Sequence, residues 1–181
     1  MRELIEKLSA TLDAATLCVG ADISDKYHAD WSGADPCAPP VLLKPKTTAD
    51  LSGIMALCFA HDQPVVIQGG LTGLAGGATP LSGELAISLE RMQGIESIDP
   101  SGMTMTALAG TPLQVLQQAA DDHELSLPLD LGARGSCQIG GNISTNAGGV
   151  QVLHYGNTRE QVLGLEVVLP DGQIWDGLTG L

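Results

Sequence analysis

The chain has 181 residues, 44% of them hydrophobic but only 3% aromatic, enough for one medium domain or two small subdomains on an aliphatic core. Its formal net charge of −13 leaves no basic footprint for nucleic acid or an anionic membrane surface. Any anionic ligand has to be held by backbone amides and helix ends rather than by Lys or Arg.

The opening MRELIEKLSATL is amphipathic and mixed in charge, unlike a signal peptide, and no stretch approaches the ~20 apolar residues of a membrane span. Residues 3–17 are expected to form a helix with Leu4, Leu8 and Leu12 on one face. Residues 20–40, with Pro36, Pro39 and Pro40, form an irregular arm. VLLKP (41–45) is a strand. Thr48 can cap a helix carrying Leu51, Ile54, Met55 and Cys58 and ending near His61. PVVI (64–67) is a buried strand, and this β-α-β unit delivers the chain into a glycine-rich loop. ELAISLE (84–90) is another strand. IESID (95–99) and MTMTALA (103–109) flank Pro100-Ser101-Gly102 as a hairpin. Thr111 and Pro112 suit a helix start, with Leu113, Leu116 and Ala120 as its buried stripe and an end near His123. A second glycine-rich segment spans 128–149, and 162–177 closes as a hairpin around Pro170-Asp171-Gly172.

The two glycine-rich segments carry the chemistry. In the first, VVIQGGLTGLAGGATP (65–80), five glycines follow a β-branched run without a charge. It reads neither G-x-G-x-x-G nor Walker A, since no Gly-Lys-Ser/Thr follows either segment. What remains is a long run of backbone donors, suited to a diphosphate that stays bound and is not transferred, or else a flexible connection. The second segment adds Ser136, Asn142, Ser144, Thr145 and Asn146, a mixed donor and acceptor set that suits a ring edge better than phosphate, or that stabilises turns.

LPLDLGARGSCQIGGNISTNAGGVQVLHYGNTREQVLGLEVVLPDG resembles the second flavin loop of FAD-linked oxidases of the vanillyl-alcohol oxidase superfamily, the PCMH-type FAD domain. Within it the likeness is to the group of D-2-hydroxyglutarate dehydrogenase, D-lactate dehydrogenase and the glycolate oxidase flavin subunit. QGGLTGLAGGATP and its approach KPKTTADLSGIM resemble the first loop of the same family. The resemblance runs from about residue 27 to the end and implies an α+β fold of two subdomains that carry FAD. It implies an N-terminal helix and arm over 1–36, then the FAD domain over 37–181, split into 37–94 and 95–181. By position, Gln68, Gly69, Gly70, Leu71, Thr72, Gly73, Gly76 and Gly77 would wrap the pyrophosphate. Gly132, Gly135, Ser136, Gly140, Gly141, Asn142, Thr145, Asn146 and Gly148 would line the flavin and its ribityl chain.

Two departures qualify the resemblance. Where the family often has Arg-Gly-Gly-Asn-Thr-Gly, this chain has Gln68 through Gly73, with Gln68 in place of the Arg cation and Leu71 in place of the Asn amide. Leu71 also stands where some relatives attach flavin through a His, so noncovalent FAD is implied. The second departure is length. Relatives run well over twice this size, and their C-terminal part holds the cap domain, the carboxylate anchors for substrate and a histidine-rich site for a divalent metal. The chain is therefore expected to be an N-terminal portion, truncated within the FAD domain and inactive alone. Its parent would oxidise a small D-2-hydroxy acid such as 2-hydroxyglutarate, lactate or glycolate by hydride transfer to flavin N5. The catalytic acid–base residue is unknown. The alternatives are a non-catalytic fragment with weak or no FAD binding, and a flavin reductase of a sugar nucleotide on a related fold.

The other candidate residues receive bland readings. Cys18, Cys37, Cys58 and Cys137 form no CxxC pair and suit reduced thiols in a cytoplasmic protein, with Cys137 a packing residue. His28, His61, His123 and His154 lack metal-ligand spacing; His61 and His123 fit helix C-termini, and His154 could approach the ring. Asp130 and Arg134 read as a loop-bracing pair rather than as acid and base. Trp31 and Trp175 read as packing residues. A truncated sheet would leave apolar surface uncovered, so homo-oligomer formation is conceivable.

Overall fold

Residues 1–178 of the computed structural model are described, and they divide by contact into two units: Met1–Arg91 with residues 163–178, and Met92–Val162. The first unit is built on a sheet of β1 (Leu17–Val19), β2 (Val41–Leu43), β3 (Val65–Gln68) and β4 (Leu85–Ser88), in the order β1-β2-β4-β3. β2, β4 and β3 run parallel, and β1 is antiparallel to β2 with Leu17 opposite Leu43. β2 and β4 are buried on both faces, which explains their apolar runs VLL and LAI.

On one face α1 (Arg2–Thr11) and α2 (Thr48–Ala60) pack Leu4, Leu8, Ile54 and Cys58 against Val41, Leu43, Leu85 and Ile87. The dry surroundings push the Cys58 thiol up to about 11. The expected helix over 3–17 stops at Thr11 instead. Asp13 accepts a hydrogen bond from Ala15 N at 3.3 Å, and residues 17–19 leave for the sheet as β1. The α2 cap is Thr47, not Thr48. Its hydroxyl accepts from Asp50 N at 3.1 Å, and Asp50 accepts in return from Thr47 N at 3.0 Å, a capping box. Thr48 instead donates to Glu166 at 2.7 Å. At the far end His61 Nδ1 donates to Leu57 O at 2.8 Å, so the histidine closes the helix terminus.

The opposite face of this sheet is covered by the arm rather than by a helix. Ile23 and Tyr27 pack on Leu42, Val66 and Ala86, so residues 20–40 form a strap. Tyr27 donates its hydroxyl to Glu90 at 2.6 Å, and Lys26 donates to the same carboxylate at 2.9 Å. Burial pulls the Glu90 carboxyl upward, but Tyr27 and Lys26 outweigh it and hold the group below its ordinary value. A depressed carboxyl contributes stability that is fully present above its unfolded value and is lost as pH falls through the folded one. Acid titration followed by circular dichroism should show stability falling below about pH 4.5. Glu90→Gln should lower stability at neutral pH and flatten part of that fall.

The terminal hairpin, β7 (Glu166–Val168) and β8 (Ile174–Asp176), also belongs to the first unit. Its turn seats on α2, where Ser52 donates to Gly172 O at 2.6 Å. Trp175 on β8 is 56% exposed and Trp31 in the arm 63% exposed, so neither is the packing residue expected.

In the second unit β5 (Ile95–Asp99) and β6 (Thr104–Ala107) pair as the expected hairpin, with a bulge between Ile95 and Ser97. α3 (Leu113–Asp121) buries Leu113, Leu116 and Ala120. Thr111 does not cap it. Its hydroxyl donates to Leu108 O at 2.7 Å and accepts from Gly94 N at 3.0 Å, holding the chain that leads in. The first turn of α3 is satisfied instead by carbonyls of the second glycine segment: Leu113 N donates to Cys137 O at 3.1 Å and Gln114 N to Arg134 O at 2.9 Å. That segment is not all loop, since residues Ile139–Ser144 form a short helix, α4. Cys137 is buried with Leu113 and Leu129, and burial pushes its thiol upward, as suits a packing residue. No helix among the described residues is long and apolar enough to cross a membrane.

Candidate functional site

The first glycine loop leaves β3 at Gln68 and is tied at both ends. Gln68 is fully buried, and its Nε2 donates to Tyr27 O and to Ala78 O, both at 2.9 Å. Its Oε1 is buried without a partner among the described residues. The Gln68 amide therefore closes the neck of the loop. From Gly70 to Gly77 no backbone N–H donates to an acceptor among the described residues. The run is an open row of donors held between two fixed ends. Leu71 sits at φ 59 and Gly76 at φ 79, left-handed conformations that bend the loop sharply at both positions. Leu71 holds this strained geometry while packing on the Leu42–Val66 cluster. A Cβ added at Gly77 would meet nothing within 4 Å, so packing does not require that glycine.

The second segment has the opposite character, because most of its groups are spent on the segment itself. Ser136 Oγ donates to Ala133 O, Ser144 Oγ to Gly140 O and Thr145 Oγ1 to Gly141 O, at 3.2, 2.8 and 2.9 Å. Asn146, at φ 49, accepts from Arg159 N at 2.9 Å. What the segment keeps free is acceptor capacity: hydroxyl lone pairs, and the buried Oδ1 of Asn142 and Oε1 of Gln138, neither with a partner among the described residues. Such a set suits ligand N–H and O–H groups and does not suit phosphate oxygens.

The glycines of this segment divide by cause. A Cβ at Gly140 would lie 2.8 Å from Ala109 Cβ, and one at Gly148 would lie 3.2 Å from Asn157 Oδ1. At Gly135 it would press on Gln114 at 3.1 Å. Gly132 and Gly141 have open space where a Cβ would stand. Asp130 and Arg134 pair at 3.1 Å along the same segment, which is the bracing role expected.

The FAD binding domain family matches residues 39–177. This chain belongs to that family. It is 47% identical over 152 residues to a probable mitochondrial D-2-hydroxyglutarate dehydrogenase of Oryza sativa subsp. indica, covering 84% of this chain and 27% of that protein. It is 41% identical over 150 residues to a D-2-hydroxyglutarate dehydrogenase of Xanthomonas citri pv. viticola, covering 83% and 32%. It is 38% identical over 178 residues to a putative mitochondrial D-lactate dehydrogenase of Schizosaccharomyces pombe, covering 98% and 32%. The chain thus spans 27–32% of the length of these relatives. Among solved structures, an alkyldihydroxyacetonephosphate synthase matches with a TM-score of 0.89 at 19% identity, covering all of this chain and 36% of that one. A grass pollen allergen with glucose dehydrogenase activity matches at 0.82 and 18%, covering 96% and 37%. Both likenesses are of fold, and they agree with the α+β, PCMH-type architecture expected from the two loops.

The residues present fit the cofactor of this family. The open donors of the first loop match diphosphate oxygens, and the unpartnered acceptors of the second segment match ribityl hydroxyls and a ring N–H. Sequence reading missed Gln138, a polar residue 7% exposed among buried neighbours. Its signal was a glutamine set directly between the apolar Cys137 and Ile139. It also missed Asp30, which sits in the arm and far from the glycines in sequence.

Proposed function

We propose that this chain is the FAD-binding part of a flavin-dependent dehydrogenase oxidising a D-2-hydroxy acid, of the 2-hydroxyglutarate, lactate or glycolate type, to the 2-oxo acid. The observation that carries the reading is the row of backbone N–H groups from Gly70 to Gly77 without acceptors among the described residues. In a chain of net charge −13, that row is the anion-binding equipment the glycine-rich sequence supplies. Gly69, Gly70, Thr72, Gly73, Gly76 and Gly77 hold the diphosphate, and Gln68 keeps the loop's neck closed. Gly132, Gly135, Ser136, Gly140, Gly141, Asn142, Thr145, Asn146 and Gly148 form the flavin and ribityl side, with acceptors turned toward hydroxyl and N–H donors. When bound, FAD supplies the hydride acceptor; the protein places and tunes it. Leu71 offers no nucleophile, so attachment is noncovalent. The names of the relatives support the substrate class.

The test is direct. The chain is incubated with excess FAD and desalted, and its absorption spectrum is recorded. Flavin bands near ~450 nm that stay with the protein are the expected result. A colourless protein, with the chain still folded by circular dichroism, would refute the cofactor assignment for this chain.

A further inference from the structure

Resting on the flavin reading, we propose that Asp30, in the arm, is a positioning residue for the first glycine loop. Asp30 is 8% exposed and has no ion-pair partner among the described residues, although it lies in a strongly acidic chain. The hydrogen bonds its carboxylate accepts among the described residues come from N–H and O–H groups. Ser32 N donates to Oδ1 at 3.0 Å, Thr79 Oγ1 donates to Oδ1 at 3.2 Å, and Ala78 N donates to Oδ2 at 3.3 Å. The Thr79 hydroxyl also accepts from Asp30 N at 3.1 Å. Two of these partners, Ala78 and Thr79, are the residues at which the loop rejoins the fold. The place a Cβ would take at Gly73 lies 3.5 Å from Oδ2, so the carboxylate also borders the middle of the loop.

Burying an unpaired carboxylate is costly, and it persists only when donors surround it. Here one donor comes from the arm itself, at Ser32, and two from the exit of the loop, at Ala78 and Thr79. Asp30 fixes the exit of the loop while Gln68 ties its entry to Ala78 O, so entry and exit are held to each other through Ala78. The row from Gly70 to Gly77 is thereby presented with its shape already set, and binding does not bear the cost of ordering it. A carboxamide at this position has the same shape but turns an N–H toward N–H donors. Asp30→Asn therefore loosens the closure without changing volume.

The experiment measures FAD affinity by fluorescence titration, with amide hydrogen exchange over residues 69–79, on the whole chain. The variants are Asp30→Asn, Thr79→Val and, as a control in the other core cluster, Leu4→Ala. All are measured at a temperature where each is folded. Asp30→Asn and Thr79→Val are expected to raise the Kd by about tenfold or more and to speed exchange across the loop. Leu4→Ala should lower the melting temperature yet keep the Kd within about twofold of the parent. An Asp30→Asn chain that keeps parental affinity and loop exchange, or a Leu4→Ala chain that loses as much affinity, would overturn the proposal. If Asp30→Asn does not fold, Thr79→Val decides by the same criteria. If the parent chain takes up no FAD, the flavin reading fails separately, and unchanged loop exchange in the variants would sink the positioning role.

Discussion

Replacing Gly149 with Ala is expected to remove about 3 kcal/mol or more from the stability of the second unit. Two penalties act together. A Cβ at Gly149 would stand 2.2 Å from Asp130 O and 3.1 Å from its carbonyl carbon, a backbone overlap that no rotamer can relieve. Gly149 also sits at φ 113, a conformation that side-chain-bearing residues avoid. Moving Asp130 away is no cheap escape. Asp130 O accepts from Val150 N, and its carboxylate accepts from Arg134 at 3.1 Å. Leu129 and Leu131 on either side belong to the core that holds α3. Urea unfolding of the purified chain reads the effect, with hydrogen exchange at Asn142 and Ala147 reporting on α4. A midpoint unchanged within error would mean that the chain does not cross Asp130 as closely as the structure has it.

The elements that could be read in advance are those whose causes are local. The apolar spacing of α2 and the hairpin turns at Pro100-Ser101-Gly102 and Pro170-Asp171-Gly172 lie within a few residues of what they specify, whereas the cap of α2 falls on Thr47, one residue before the Thr48 expected. The misread elements have causes distant in sequence. The start of α3 has no side-chain cap because its donors go to carbonyls of Arg134 and Cys137, some twenty residues on. The helix IGGNIS is hidden by two glycines, which lower its propensity. It forms because Ile139 N and Gly140 N are already held by Thr111 O and Ala109 O at 3.0 and 2.8 Å. α1 ended early for the converse reason. Residues 14–19 continue an apolar pattern, but Leu17 and Cys18 are claimed by pairing with β2. The arm looked irregular because its regularity lies in single contacts of Tyr27 and Asp30, to Glu90, Ala78 and Thr79.

The candidate site was legible as composition and not as roles. Five glycines in an uncharged loop announce open backbone donors, and the structure has them. Sequence cannot say that the hydroxyls of Ser136, Ser144 and Thr145 are spent on nearby carbonyls, because that depends on the backbone they belong to. Nor can it separate Gly140 from Gly141. The pair reads as one motif, yet a methyl on the first strikes Ala109, whereas a methyl on the second reaches open space.

That last distinction yields the second large expected effect. Gly141→Ala should stabilise the chain and weaken its hold on FAD at the same time. Gly141 lies inside α4, where Ala is preferred over Gly by about 0.5–1 kcal/mol. The added methyl meets no heavy atom within 4 Å, so nothing opposes that gain. If Gly141 is small because the cofactor approaches the backbone there, the same methyl fills the approach, and the Kd for FAD should rise by about tenfold or more. Stability and affinity then move in opposite directions, which a purely structural role for Gly141 cannot produce. Thermal unfolding of the apo chain and FAD titration of the same preparation read the two halves. A stabilised variant that binds FAD as tightly as the parent would remove Gly141 from the flavin side of the site. It would leave the acceptors of Gln138 and Asn142, one turn of α4 apart, as the part of that segment to which the cofactor must still be fitted.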